Sequence, residues 1–155
     1  MFKKRESIYE VEEGKFLSPK FDENGLIPVT TTEHKSGEVL MHGYMNKEAL
    51  KYTIENKEAC YWSRSRQELW HKGKTSGFVQ KVIDIRIDDD QDALWMTVDI
   101  GNGASCHVGY KSCFYRSLPL GPIKDTEKVE LEFKEKEKKF DPNKVYKGQP
   151  NPTKL

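Results

Sequence analysis

Between Arg86 and Arg116 the chain reads RIDDDQDALWMTVDIGNGASCHVGYKSCFYR, so that Asp88, Asp89, Asp90 and Asp92 precede a Cys106-His107 pair and Cys113. Carboxylates are hard ligands and thiolates soft ones, and the two kinds close together could hold two different cations side by side. The chemistry such a pairing serves is metal-assisted hydrolysis. Asp88, Asp90 and Asp92 alternate, so an extended backbone points all of them to one side. Uncompensated carboxylates repel there unless a hard divalent cation sits among them; the alternative is an acidic turn facing water. A calcium loop is excluded by the missing glycine and distal glutamate. Cys106 and Cys113 are too far apart in sequence for local geometry to force them onto one metal. A tetrahedral zinc site needs about four ligands, and His107, Asp89 or a partner chain could complete it. The competing reading is a pair of buried, inert thiols. Cys60, beside Tyr61 and Trp62, is expected in the core.

A second constellation is YWSRSRQELWHKGKTSG, residues 61–77. Arg64, Arg66, Lys72 and Lys74 are interleaved with Ser63, Ser65, Thr75, Ser76, Gly73 and Gly77. Cations, hydroxyls and a close-approaching backbone are what a phosphate group requires. Trp62, Trp70 and His71 could stack on a heterocycle. A solvated basic loop is the alternative, and tryptophans in a polar, glycine-rich stretch speak against it.

The elements that must position these groups belong to one domain, since 155 residues suffice for one real core and not for two. An aromatic share of 11% supports a folded body, while 33% charge and a mean hydropathy of −0.81 require much polar surface. The net charge of +1 gives no bulk attraction to a nucleic acid polymer. No apolar run reaches the length of about 18 residues that a membrane span needs, and MFKKRESIYEVEEGKF has no apolar segment behind its charges. Neither membrane insertion nor secretion is expected. Three cysteines do not close a disulfide framework and point to a reducing, cytoplasmic setting.

Along the chain, residues 1–24 read as a peripheral segment whose Ile8, Val11 and Phe16 could cover an edge of the core. Residues 26–32 and 38–44 read as a hairpin around a polar, Gly37-containing turn. Asn46 is a good N-cap for a helix over residues 47–56. A strand over 59–63 should pass into a polar stretch. From Phe78 onward Val79, Lys81, Ile83, Ile85 and Ile87 alternate with Gln80, Val82, Asp84, Arg86 and Asp88, which predicts one long strand. A further strand is expected over 93–100, and a hairpin arm through the cysteines ending near Tyr115. Short connections favour antiparallel pairing. Residues 128–133 alternate as a strand might, and KEKEKK with the Pro- and Lys-rich end looks solvated.

The segments GEVLMHGYMNKEAL (37–50), YWSRSRQELWHKGKTSG (61–77), RIDDDQDAL (86–94) and CHVGYKSCFYR (106–116) together resemble the phosphoribosyl-AMP cyclohydrolase family of histidine biosynthesis. The resemblance covers about residues 25–116. It implies an α+β fold, mostly antiparallel β-sheet with one main helix, in an intertwined homodimer. It also implies hydrolysis of the purine ring of 1-(5-phosphoribosyl)-AMP between N1 and C6. In the chain's own numbers, Asp88, Asp90 and Asp92 are implied as magnesium ligands and Cys106 and Cys113 as zinc ligands shared between subunits; His107, next to a ligand, could then carry the catalytic proton. Arg64, Arg66, Trp70, His71, Lys72, Thr75 and Ser76 are implied to bind the phosphoribosyl nucleotide. The implied division is an N-terminal extension (1–24), the cyclohydrolase-like domain (25–117) and a charged, partly disordered C-terminal extension (118–155).

The chain departs from that pattern at three positions. Asp89 stands where the family has its third zinc cysteine, and an oxygen in place of sulfur hardens the site toward manganese or ferrous iron. Lys74 stands where glutamate is usual, and Phe78 where a small polar residue or histidine follows Thr-Ser-Gly. These differences leave two further readings beside the family reaction: a paralogue acting on another phosphorylated purine-like ring, and a non-catalytic metal- or nucleotide-binding descendant.

Overall fold

In the computed structural model, which describes residues 2–155, Ser7 opens the chain's first regular element by accepting the Glu10 N–H; this is a short helix, α1 (Ile8–Glu12). Only Val11 of that helix is buried, while Ile8 and Phe16 stay exposed. There follow β1 (Ile27–Glu33), β2 (Val39–Met45), α2 (Lys47–Asn56), β3 (Cys60–Ser63), β4 (Glu68–His71), β5 (Lys81–Ile87) and β6 (Leu94–Asp99). The C-terminal part holds β7 (Arg116–Ser117), a 3-10 turn (Thr126–Lys128), β8 (Glu132–Phe133) and α3 (Pro142–Val145). Among the described residues no helix is long and apolar enough to cross a membrane.

The main sheet has the order β2-β1-β6-β5. β1 pairs antiparallel with β2 and β5 with β6, as short connections dictate, but β1 and β6 run parallel, Val29 opposite Leu94. The sheet is mixed rather than wholly antiparallel because β6 returns to β1 only after the intervening helix and hairpin. Helix α2 starts where Asn46 accepts the Ala49 N–H (2.8 Å) and stops at Lys57, which is left-handed at φ 55°. Thr53, fully buried on α2, bonds both the N–H and the C=O of Cys60 and so welds the helix to β3.

The polar stretch after β3 does not stay irregular. It turns at Arg64–Gln67 and returns as β4, with Tyr61 opposite Trp70. Gly43 on β2 makes room for this hairpin: a Cβ there would sit 2.9 Å from the Tyr61 ring. The strand expected from Phe78 begins only at Lys81 and carries a bulge between Val82 and Asp84. The extra residue, Ile83, is therefore turned out to solvent, and Val82, expected on the opposite face, packs on the core beside Ile85 and Ile87, which lie inward as expected. Gln80, expected on the polar face, is fully buried. The cysteine segment is a series of turns, not a hairpin arm, and of residues 128–133 only Glu132–Phe133 pair as a strand.

Glu33 closes the β1–β2 hairpin. Its Oε2 accepts the Ser36 N–H (2.7 Å), the Ser36 hydroxyl (2.8 Å) and the Lys35 N–H (3.1 Å). The Ser36 backbone bond, then its hydroxyl, holds the carboxyl at about 2. Glu33→Ala should cost about 1–2 kcal/mol at neutral pH. Because the folded value lies below the unfolded 4.5, that contribution is complete above 4.5 and lost as pH falls through about 2. Denaturant unfolding of both proteins from pH 7 to 2 should show the gap closing only in that window.

Candidate active site

A cleft of about 1110 Å³ lies between the β3–β4 hairpin, the turn that follows it, the cysteine loop and the C-terminal segment. Arg64 and Arg66 stand exposed on the hairpin turn, Trp70 and His71 on β4, and Thr75 and Ser76 on the following turn; His107 and Cys113 face them. Arg66 is held by Glu68 at 2.8 Å, whereas Arg64 stacks over the Tyr44 ring at 4.1 Å and has no carboxylate partner among the described residues. The His71 ring meets Tyr52 edge-on at 4.5 Å, which fixes it to helix α2.

Lys72 behaves differently from a phosphate-binding surface cation. Its side chain is buried, lies over Trp70 at 4.8 Å, and donates to the Ser105 carbonyl at 2.5 Å. Burial pushes its ammonium down, while the Cys113 and Cys106 sulfurs support the charge. It therefore backs the thiols from behind. Cys113 Sγ points at the Ser105 carbonyl (3.9 Å), and the neighbouring Cys113 thiol, outweighing burial, holds Cys106 below the ordinary thiol value, while Cys106 and burial push Cys113 up. Burial, then the neighbouring Lys72 charge, keeps His107 below the ordinary histidine value and so neutral near pH 7.

Behind this loop runs a buried polar chain that motif reading did not find. Thr31 Oγ1 meets Tyr61 Oη (2.8 Å), Tyr61 donates to Gln80 Oε1 (2.7 Å), and Gln80 Nε2 donates to Ser105 Oγ (3.0 Å). Burial raises the Tyr61 phenol well above its usual value, so it remains a proton donor. The signal in the sequence was slight: a glutamine, at the start of an apolar strand, on what alternation marks as the wet side.

The aspartates sit elsewhere in the chain. Their segment is a tight turn, not an extended strand: Asp88 Oδ1 accepts the Asp92 and Ala93 N–H groups (2.9 and 3.0 Å), and Gln91 is left-handed at φ 58°. The turn still gathers the charges. Asp88, Asp89 and Asp90 each offer an oxygen within 4.8 Å of the others, and Asp92 is raised by desolvation and by Asp90 and Asp88. Gln91 bolts the turn to the N-terminal segment, accepting the Ser18 N–H (2.8 Å) and donating to Val11 O (2.9 Å). Arg5 adds a bond to Asp90 O (2.8 Å). Glu33, His34 and Asp99 form the other such group among the described residues, where Glu33 already serves the hairpin turn.

Neither group contains a cysteine. Cys113 N–H bonds Leu40 O beyond the free edge of β2 (2.7 Å), and Asp88 follows β5 on the opposite edge. At a strand spacing of about 4.8 Å, roughly 14 Å of sheet separates them. Asp89 therefore does not join Cys106 and Cys113 within one chain.

Residues 41–115 match the family model described as phosphoribosyl-AMP cyclohydrolase. The chain is 52% identical over 137 residues to the phosphoribosyl-AMP cyclohydrolase of Rhodopseudomonas palustris strain TIE-1, covering 88% of this chain and 89% of that protein. It is 46% identical over 142 residues to that of Nitrobacter winogradskyi, with 92% and 95% covered. The chain belongs to the phosphoribosyl-AMP cyclohydrolase family. The matched span contains the hairpin, the acidic turn and the cysteine loop of the cyclohydrolase, and the relatives extend beyond it at both ends.

The donor sets suit the cations the cyclohydrolase family implies. Two neighbouring thiols beside a buried lysine form a soft, anion-supporting pair, and oxygens gathered on one turn form a hard one. Phe78 packs at a tilt against Phe140, with ring centroids 5.0 Å apart. In metal-free protein, iodoacetamide at graded pH should modify one loop cysteine with a midpoint below that of an ordinary thiol. Lys72→Met should move that midpoint up, and buried Cys60 should not react. Mass spectrometry of labelled peptides checks this; both loop thiols titrating together as ordinary thiols would refute it.

Proposed function

We propose that this protein is a phosphoribosyl-AMP cyclohydrolase, opening the adenine ring of 1-(5-phosphoribosyl)-AMP between N1 and C6 in the cytoplasmic synthesis of histidine. The observation that carries this is a single cleft shared by Arg64, Trp70, Thr75, Ser76, His107 and Cys113, in a chain 52% identical to a named cyclohydrolase. Residues 25–117 are the catalytic domain, with extensions before and after.

In this reading Arg64 and Arg66 take phosphate oxygens, Thr75 and Ser76 add hydroxyl donors, and Trp70 with His71 borders the base. Lys72 keeps the Cys106–Cys113 pair anionic and ready for zinc, or for iron or manganese in its place. Asp88, Asp90 and Asp92 hold magnesium, with Asp89 offering an oxygen to the transition metal. When bound, that metal supplies Lewis acidity, making a water acidic enough to attack C6 near neutral pH. Alkylation at N1 has already made C6 electrophilic. His107, neutral and facing the cleft, takes the water's proton and hands it to N1 as the N1–C6 bond breaks.

The separation of acid turn and thiols within one chain supports a homodimer in which each site takes its aspartates from one subunit and its cysteines from the other. The sheet offers a face for it. His42, Thr30, Trp95 and Arg86 share one row across all four strands, with His42, Trp95 and Arg86 exposed.

Purified protein loaded with zinc, iron or manganese should hydrolyse phosphoribosyl-AMP, and His107→Ala should lower kcat roughly 10²–10⁴-fold with metal content unchanged. Absence of turnover with every metal would remove the reading. Asp89→Cys should tighten zinc. Co-expressed Asp88→Asn and Cys106→Ser chains, each inactive alone, should regain about a quarter of wild-type activity if subunits share sites. No regain from a mixed dimer would place each site within one chain.

A further inference from the structure

The C-terminal segment is built into the cleft. Glu135 accepts the N–H groups of Lys111 (2.8 Å) and Ser112 (2.9 Å), the two residues before Cys113. Lys139 N–H bonds Gly109 O (2.7 Å), and the approach there is so close that a Cβ on Gly109, at φ +106°, would lie 2.5 Å from the Phe140 carbonyl oxygen. Phe140 packs against the Phe78 ring at a tilt and, at 6.0 Å, meets Tyr146 edge-on. These contacts hold residues 142–153 along the cleft as the wall facing the β3–β4 hairpin.

That wall carries Lys147, exposed and without an ion pair among the described residues. The cleft's other cations come from the hairpin side: Arg64, Arg66 tied to Glu68, buried Lys72, and Lys74. A substrate with a phosphate at each end of a ribosyl-purine needs cations at two separated places, and the hairpin supplies only one of them. We propose that the C-terminal segment completes the substrate cleft and that Lys147 binds one of the substrate's two phosphate groups. This rests on the phosphoribosyl nucleotide reading of the cleft. Phe78 then serves as the anchor for the wall, which accounts for an aromatic at that position.

The test uses full-length, metal-loaded protein and the variants Lys147→Ala, Lys147→Glu and Lys147→Arg. Lys144→Ala is the control, removing the same charge from the same segment outside the cleft lining. Steady-state kinetics with phosphoribosyl-AMP and calorimetry with AMP and with ribose 5-phosphate, one monophosphate for each end, are the readouts. Lys147→Ala should raise KM about tenfold with kcat within about twofold, because a contact made equally in ground and transition states is lost. Lys147→Glu should act more strongly, Lys147→Arg should restore binding, and Lys144→Ala should change neither constant. One monophosphate should weaken in parallel and the other should not. If wild type turns over and Lys147→Ala leaves KM unchanged, or lowers kcat alone, the proposal fails while the cyclohydrolase reading stands. If wild type does not turn over yet binds a monophosphate that Lys147→Glu weakens, the phosphate site stands and the cyclohydrolase reading falls. Binding of neither monophosphate together with no turnover overturns both.

Discussion

A line of buried hydrogen bonds, Thr31 to Tyr61 to Gln80 to Ser105, connects the middle of the main sheet to the loop that carries the thiols. Buried polar groups are costly when unpaired and directional when paired, so this line fixes relative positions more sharply than apolar packing could. Tyr61 fixes the hairpin, whose turn carries Arg64; Gln80 fixes the start of β5; Ser105 receives both Gln80 on its hydroxyl and Lys72 on its carbonyl. The cation behind Cys106 and Cys113 is thus placed by the same residue that ends the chain of bonds. Gly43 belongs to this constraint, since Tyr61 reaches Thr31 only because β2 leaves its ring room.

The two flanking segments do related work at opposite edges of the sheet. Residues before β1 clamp the acidic turn through Gln91 and Arg5, so four carboxylates can be crowded on one turn without the backbone opening to relieve their repulsion. Residues after β7 clamp the cysteine loop through Glu135 and Lys139. Each clamp uses backbone donors and acceptors that an irregular loop would otherwise leave to water. The hard and soft ligand sets are therefore both rigid and, within a chain, far apart.

That distance gives the proposed dimer its chemical sense. Carboxylates and thiols held at opposite edges of one chain would meet only if a second copy brought them together, and the exposed sheet row is the surface that dimer would use. Asp89 sits on the acidic turn and Cys106 and Cys113 on the far loop, so in that proposed dimer Asp89 would come from the other subunit.

Residue chemistry and local spacing carried a good deal by themselves. Asn46 and the apolar positions after it set helix α2 at 47–56, and the β1–β2 hairpin around Gly37 fell within a residue of its place, because caps and tight turns are decided by neighbours in sequence. The motifs in 61–77 and 86–116 were enough to point to the phosphoribosyl-AMP cyclohydrolase family. Other features rested on partners far along the chain. The parallel β1–β6 pairing, the bulge that turns Ile83 outward, the burial of Gln80 and the turning of Lys72 toward Ser105 each answer to such partners, which no window of sequence contains. The same holds for the split between the aspartates and the thiols. They are close in sequence, yet strand order puts them at opposite edges, since β6 must cross to β1 before the cysteine loop can close on β2.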